Sequence, residues 1–555
     1  MKKKLVIVWC FLVALLFGSA DGATEDIFVP PGETVVVRVY YPDRATGNQV
    51  LKSFEAQLLG TNYAGGYHVM EIGQKELDLL TDAGLRIEID RESAPGQLPE
   101  SSVTAETDTA GIPKYPCYRT VEETFATAKE IVRDYPRLAE WVDVGDSWEK
   151  SADLGGWDMR VLRLTNRGIH GPKPDLFITA AMHAREYATA ELVTRFAEYL
   201  VENYGIDADV TWILDHHEIH LMLHTNPDGR KLAETGLSWR KNTNADYCLE
   251  DPDRRGADLN RNFTFNWDCC GGSSTEECNA TYHGPEEASE PEIQSVEAYM
   301  ADIFPDQRDD DLTAPAPRDA TGIYIDVHAY GKLVLWPWGS TAAAAPNAAQ
   351  LQTLGRKFAF WNGYSPEQAI GLYPTDGTSD EHAYGTLGVA SYCIELGVTF
   401  FQPCKYFEKF IVPENLPALL YAAKVVRTPY ITPAGPDALD LALSNDRVAA
   451  GTPVTITAVV DDTRYYNGSG NEEEPVQGIA DAEYYVQVPP WDGGTPVAMV
   501  ASDGAFDAAV ENVEASIDTS GWRKGRYIIL VHAKDQDDNW GAFSAIFLKV
   551  TGRQD

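Results

Sequence analysis

Residues 175–200 run DLFITAAMHAREYATAELVTRFAEYL, a strand pattern passing through a short turn into a helix pattern. DLFITAAM is a nearly unbroken apolar run, the pattern of a strand buried inside a sheet. After Tyr187, the residues Val193, Phe196, Ala197 and Leu200 recur at helical spacing on one face. Between strand and helix, the turn HARE sets His183 and Glu186 three residues apart. The alternation continues outward, with EIHLMLHT and GIYIDVHAY as further strands among helical patterns. Residues 118–428 are therefore expected to form an α/β sheet domain.

On the N-terminal side, residues 24–92 contain GETVVVRVYYP, YHVMEIGQKELDLLTDAG and LRIEID. These predict strands and one short helix, a small α+β domain. Residues 93–117 are rich in Pro, Ser, Thr and Gly without periodicity, the composition of a linker open to proteases. From residue 429 to 555 the pattern shifts to short strands such as PVTITAVV, AEYYVQV and RYIILVHAKD between Gly, Asn and Asp turns, as in a β-sandwich. A chain of 555 residues has room for these domains. Residues 1–23 combine a basic start, an apolar run and a small-residue site, the build of a secretory signal. The expectation is a secreted protein, extracellular or periplasmic, with no membrane anchor in the mature form.

The formal charge of −39 excludes nucleic acid and anionic lipid as natural partners, because both repel an acidic surface. Beyond the signal lie Cys117, Cys248, Cys269, Cys270, Cys278, Cys393 and Cys404, an odd set that leaves at least one unpaired within a monomer. Export favours disulfides, and the run from Cys248 to Cys278 could staple one loop region; the pairing itself stays open. Nothing in the sequence sets an oligomeric state.

Imidazole and carboxylate are zinc ligands, and a sharp turn after a strand can aim residues i and i+3 at one ion. His183 and Glu186 fit that description, although His-x-x-Glu also arises by chance. A third ligand is available in His328, which interrupts a strand that should be buried; a core histidine satisfied by a hydrogen bond is the other reading. The stretch DHHEIHLMLH, with His216, His217, His220 and His224, is not the HExxH zinc helix, since position 221 is Leu. It reads as a half-polar strand with His216, Glu218, His220 and His224 on one face.

Further motifs follow in order: HARE, NPDGR, WRKN, GADLNRNF, GPEEASEPE, DVHAYG, LYPTDGTSDEHAYG and YCIELG. Together they resemble the zinc metallocarboxypeptidase family that includes carboxypeptidases A, B and T, over roughly residues 118–428. The resemblance implies a mixed central sheet with helices on both faces and one Zn2+ per chain held by His183, Glu186 and His328, with a fourth position open. It implies that Glu395 is the general base and that Arg240 polarises the scissile carbonyl. It gives Asn260 and Arg261 the substrate's terminal carboxylate, Tyr373 a mobile loop over the substrate, and Arg185 and Tyr330 secondary places in the cleft. Asp380 falls at the base of the pocket for the terminal side chain, seven residues after Tyr373 and fifteen before Glu395, where an acid marks preference for Lys or Arg.

The partners so implied are peptides or proteins with a free C-terminus. Broad or dual specificity, as in carboxypeptidase T, is the alternative. The set Arg240, Asn260, Arg261 and Tyr373 argues against cell-wall peptide hydrolases and amide deacylases, and the intact ligands and base argue against a non-catalytic binding protein. By its position, the N-terminal domain is expected to act as a propeptide that caps the cleft until the linker is cut. The chain departs from the animal pattern in the acidic insertion FPDQRDDDLTAPAPRDA before the His328 strand, and in Glu381 and His382 where an aspartate and a tryptophan are usual.

Overall fold

The computed structural model describes residues 27–30, 34–54, 57–62, 65–90, 110–468 and 473–552. The expected signal, residues 1–23, and the linker up to residue 109 lie outside the described residues. Eight strands form the central sheet, in the order Ser365–Gln368, Leu333–Trp336, Ala390–Glu395, Ile323–His328, Asp175–Ala180, Glu218–Met222, Asp158–Leu164 and Ala139–Asp146. Its four middle strands run parallel, while Leu333–Trp336 and Asp158–Leu164 join them antiparallel, so the sheet is mixed.

Alternation along the strands builds a core on each face. Leu176, Ile178, Ile323, Ile325 and Val327 pack with Phe196 and Leu200 of the helix Tyr187–Asn203 and with Leu351 and Leu354 of the helix Ala348–Asn362. Phe177 and Tyr324 point the other way, onto Ile293, Val296 and Met300 of the helix Pro291–Ile303. Thr179, Asp326 and His328 share this second face, where a polar side chain needs a partner.

Residues 35–89 add a four-stranded antiparallel sheet in the order Leu58–Asn62, Tyr67–Ile72, Val35–Tyr40 and Arg86–Ile89. The sequence predicted one helix here and the structure has two, Arg44–Ser53 and Gln74–Asp82. The first starts where the Asp43 carboxylate accepts from the Thr46 amide (2.8 Å), a capping bond that the weakly apolar RATGNQVLKS pattern does not advertise. From residue 437 onward, a four-stranded and a five-stranded sheet share a core that includes Ile456, Val460, Val513, Ile529, Val531 and Leu548.

The His-rich stretch differs from expectation. His216 ends the helix Ala208–His216, and only Glu218–Met222 is strand. His217, His220 and His224 are buried while His216 and Glu218 stay partly exposed, so the expected polar face is not solvated along its length. Central sheet strands are covered on both sides, which overrides the apparent alternation. Residues 110–117, assigned by composition to the linker, are seated on the central domain: Ile112 is buried and Cys117 is bridged to Cys404. Among the described residues the remaining pairs are Cys248–Cys278 and Cys269–Cys270, and Cys393 is the one free thiol.

Candidate active site

The site lies at the carboxyl ends of the parallel strands, where open α/β sheets place their ligands. His183 and Glu186 occupy the turn that leaves Asp175–Ala180, while His328 and Glu395 end two adjacent parallel strands and face each other in register. His183 Nδ1 lies 2.8 Å from Glu186 Oε1 and 3.0 Å from His328 Nδ1, and His328 Nδ1 lies 3.2 Å from Glu186 Oε2. The ligand atoms of the three residues fall within 4.8 Å of one another. Two imidazole nitrogens and a carboxylate, all buried, are the donor set of a catalytic zinc centre.

A second layer of carboxylates fixes both rings. His183 Nε2 meets Asp258 Oδ1 at 3.1 Å, and His328 Nε2 meets Asp326 Oδ2 at 2.8 Å, so each ring turns Nδ1 inward. Sequence reading missed these two acids, although both lie in quoted motifs, GADLNRNF and DVHAYG. The available sign was a carboxylate in a segment expected to be buried. Burial alone would raise Asp258, but Arg240, His183 and Arg261 hold it well below the usual carboxylate range. Glu186 is likewise pulled down against its own burial by the two imidazoles.

Arg240 is clamped through Nε and Nη2 to Asp258 Oδ2 at 2.9 and 2.7 Å, with Nη1 3.4 Å from His183 Nδ1. Glu395 is half-buried, but its Oε2 atom is shut off from solvent and has no hydrogen-bond partner among the described residues. Burial holds the Glu395 carboxyl above the ordinary range, against the pull of His328 and with a further push from Glu186. One cavity is lined by the three ligand residues and by Arg240, Asn260, Arg261, Tyr330, Tyr373, Asp380 and Glu395. Arg185 is not in that lining; its guanidinium sits 3.8 Å over the ring of Phe400, which is. Asp380 is buried, and burial raises its carboxyl, as does nearby Asp326. Leu51, Leu58 and Thr61 of the N-terminal segment line the same cavity.

A profile of the zinc carboxypeptidase family matches residues 125–416. The chain is 32% identical over 307 residues to a carboxypeptidase B of Astacus astacus, covering 54% of this chain and 90% of that protein. It is 30% identical over 292 residues to a zinc carboxypeptidase of Saccharothrix mutabilis subsp. capreolus, covering 51% and 62%. With carboxypeptidase A1 of Rattus norvegicus it shares 29% identity over 246 residues, 44% of this chain and 52% of that one. The match thus spans only about half to three-fifths of the latter two relatives. The fold is similar to those of thrombin activatable fibrinolysis inhibitor (TM-score 0.55, 19% identity, 71% of this chain and 99% of that one) and of carboxypeptidase A from Helicoverpa armigera (0.55, 20%, 71% and 98%). This family employs one catalytic Zn2+, which the His183, Glu186 and His328 donor set fits, and the chain belongs to the zinc carboxypeptidase family.

Proposed function

We propose that this protein is a secreted carboxypeptidase that hydrolyses the last peptide bond of peptides with a free C-terminus and prefers terminal Lys or Arg. The observation that carries the reading is the unpartnered, buried Glu395 oxygen in the same cavity as the His183, Glu186 and His328 donors. Zinc held by those three residues would supply Lewis acidity for the scissile carbonyl and would lower the pKa of an attacking water. Glu395 would act as the general base, taking a proton from the attacking water and returning it to the departing amine. Arg240, immobilised by Asp258, presents N–H donors where the oxyanion develops. Arg261 and Asn260 receive the terminal carboxylate, for which a planar guanidinium is suited. Tyr373 and Tyr330 flank the bound chain, and Arg185 supports Phe400 in the cleft wall.

Asp380 gives the preference for a basic residue: a cationic substrate side chain would relieve the cost of its buried carboxylate. That pairing is worth about 2–4 kcal/mol between cationic and apolar residues. Residues 24–92 act as a propeptide-like cover whose removal opens the cleft, in keeping with Leu51, Leu58 and Thr61 in the cavity wall. Residues 429–555 form a β-sandwich that stays with the enzyme. Secretion rests on the residues 1–23 pattern and the oxidised cysteine pairs; no helix among the described residues is long and apolar enough to cross a membrane.

The deciding experiment measures zinc content and amino-acid release from paired peptides with free and amidated C-termini. Release is expected only from the free peptide, and equal release from both would overturn the exopeptidase reading. In the same assay Glu395→Gln keeps its zinc and loses activity by about 10²–10⁴-fold. Asp380→Ala is expected to lower the Arg-to-Phe rate ratio, and an unchanged ratio would remove Asp380 from the pocket.

A further inference from the structure

The Cys269–Cys270 disulfide joins neighbours in sequence. A disulfide stabilises a fold chiefly by closing a loop in the unfolded chain, with a gain that grows with loop length. Cys117–Cys404 spans 287 residues and Cys248–Cys278 spans 30. Cys269–Cys270 closes no loop, so global stapling does not account for it. It is also exposed on both residues, and exposed disulfides are the labile, regulatory ones.

What this bridge shapes is local. The Asp376 carboxylate, fully buried, accepts the amides of Cys270 (3.2 Å) and Gly272 (2.8 Å) through Oδ2. The Gly272 carbonyl accepts from Arg261 Nε at 3.2 Å. Backbone meets backbone here: a Cβ on Gly272 would lie 2.4 Å from the Cα of Thr375. Gly377, at φ +60°, closes the ring of contacts by accepting the Phe263 amide at 3.0 Å. The turn bearing the disulfide is thus wedged between the segment that carries Asn260 and Arg261 and the loop that carries Tyr373.

We propose that Cys269–Cys270 is a thiol–disulfide exchange site through which a dithiol reductant loosens the seat of Arg261 and the Tyr373 loop. This rests on the carboxypeptidase reading for its effect on substrate. In the exchange, a donor thiolate attacks one sulfur of the pair, the S–S bond breaks, and the other cysteine leaves as a thiolate that takes up a proton. The donor's second thiolate then attacks the mixed disulfide and releases the remaining cysteine, which is protonated in turn. Two electrons and two protons reach the protein, and the donor becomes a disulfide. The freed turn no longer fixes the Cys270 and Gly272 amides against Asp376, and the grip on the terminal carboxylate weakens.

The full zinc-loaded chain is equilibrated in graded dithiothreitol, and thiols are mapped by alkylation and mass spectrometry alongside amide hydrogen exchange. Cys269 and Cys270 are expected to open first, with faster exchange at Phe263, Gly272 and residues 375–377 and no loss of zinc. A Cys269→Ser/Cys270→Ser variant should show the fast exchange without reductant and no response to it. On peptides with a free C-terminus, reduction should raise KM about tenfold and change kcat less, as losing one charged hydrogen bond would. Earlier opening of another pair, or opening of this one with unchanged exchange at residues 375–377, would overturn the proposal. The exchange readout needs no turnover, so a protein that released no amino acid from any peptide would defeat the carboxypeptidase reading while leaving this test intact.

Discussion

Residues 34–90 meet the central domain at the cleft itself, whereas residues 437–552 meet it through side chains that line no part of the cavity. On the N-terminal side the contact is mainly apolar: Leu51, Leu58 and neighbouring core residues pack on Leu333, Leu335, Ala369 and Leu372. Two of its polar contacts lie along the rim, Asn48 Nδ2 donating to the Gly371 carbonyl (3.0 Å) and Arg44 paired with Glu367, while buried Thr61 is bonded to Tyr330 (3.2 Å) inside the cavity wall. On the C-terminal side, two fully buried cations of the helix Ala348–Asn362 cross the boundary. Arg356 pairs with Glu474 (2.9 Å), and Lys357 with Asp437 (3.3 Å) over the Tyr465 ring. Trp491 and Phe543 pack on Trp212, and Arg427 lies 4.3 Å over Trp491. A buried charge left without its partner is costly, so this boundary resists separation. An apolar cover with rim contacts can lift away intact.

Lys357→Met should therefore lower stability by about 3 kcal/mol, the low end for a broken buried pair because Arg464 still holds Asp437. Thermal or urea unfolding of the full chain measures it, and a change under about 0.5 kcal/mol, the range of ordinary surface substitutions, would make the two boundaries alike.

Removal of the N-terminal segment tests the other half. A tethered cover acts at an effective concentration of about 1 mM, so an intrinsic affinity near 10 μM keeps the cleft closed roughly a hundredfold. Chain beginning near residue 110 should then exceed the full chain in kcat/KM by about that factor, with the melting of the central domain nearly unchanged. Equal rates would reduce the segment to a permanent accessory. The start matters, because Ile112 and Cys117 belong to the central domain's packing.

Acid should separate the two boundaries further. His68, buried beneath the N-terminal interface, is pushed down to about 4 by burial, from 6.5. Below pH 6.5 the unfolded segment binds a proton that the folded one refuses, so its stability falls as pH drops towards 4, by about 2 kcal/mol at pH 5. On the C-terminal side, burial pushes Asp462 up to about 7 from 3.8, and its sign is opposite: stability falls as pH rises from 4 through 7. Limited proteolysis at pH 5 and pH 7 should show residues 34–90 released at the lower value and residues 437–552 retained. Simultaneous release of both would break the contrast.

The sheet was legible in sequence wherever a strand is apolar on both faces, as in DLFITAAM and GIYIDVHAY. His183, Glu186 and His328 were nameable because their motifs are contiguous. Less legible were features set by distant neighbours. Asp258 and Asp326 take their places from the rings they hold, and Lys357 meets Asp437 across 80 residues of chain. Which six of the seven cysteines beyond the expected signal pair, and with whom, is a property of the folded backbone rather than of their spacing. DHHEIHLMLH misled because polar residues at alternate positions suggest a solvated face, whereas His220 is buried against Tyr299 (2.7 Å) and Asp175 (2.9 Å). Arg44–Ser53 was hidden because its capping aspartate follows a strand and its apolar face is only partly filled.

The smallest effect probes the polar thread inside the apolar cover. His68 Nε2 donates to the Gly47 carbonyl (2.9 Å), so its Nδ1 must accept from the Thr61 hydroxyl (2.8 Å), and Thr61 in turn accepts from Tyr330 (3.2 Å). One hydroxyl thereby ties a core histidine of the cover to a tyrosine of the cleft. Thr61→Val keeps the shape and the β-branch but removes both bonds. The cover should loosen by about 1 kcal/mol, raising the basal kcat/KM of the full chain roughly fivefold. The same substitution has no target in chain that begins near residue 110. An increase in the full chain confined to peptide turnover, with unchanged melting of the central domain, would locate the effect at the cleft. A loss of central-domain stability instead would mean that Thr61 is part of the fold beneath it, and that the N-terminal boundary is as firmly built as the C-terminal one.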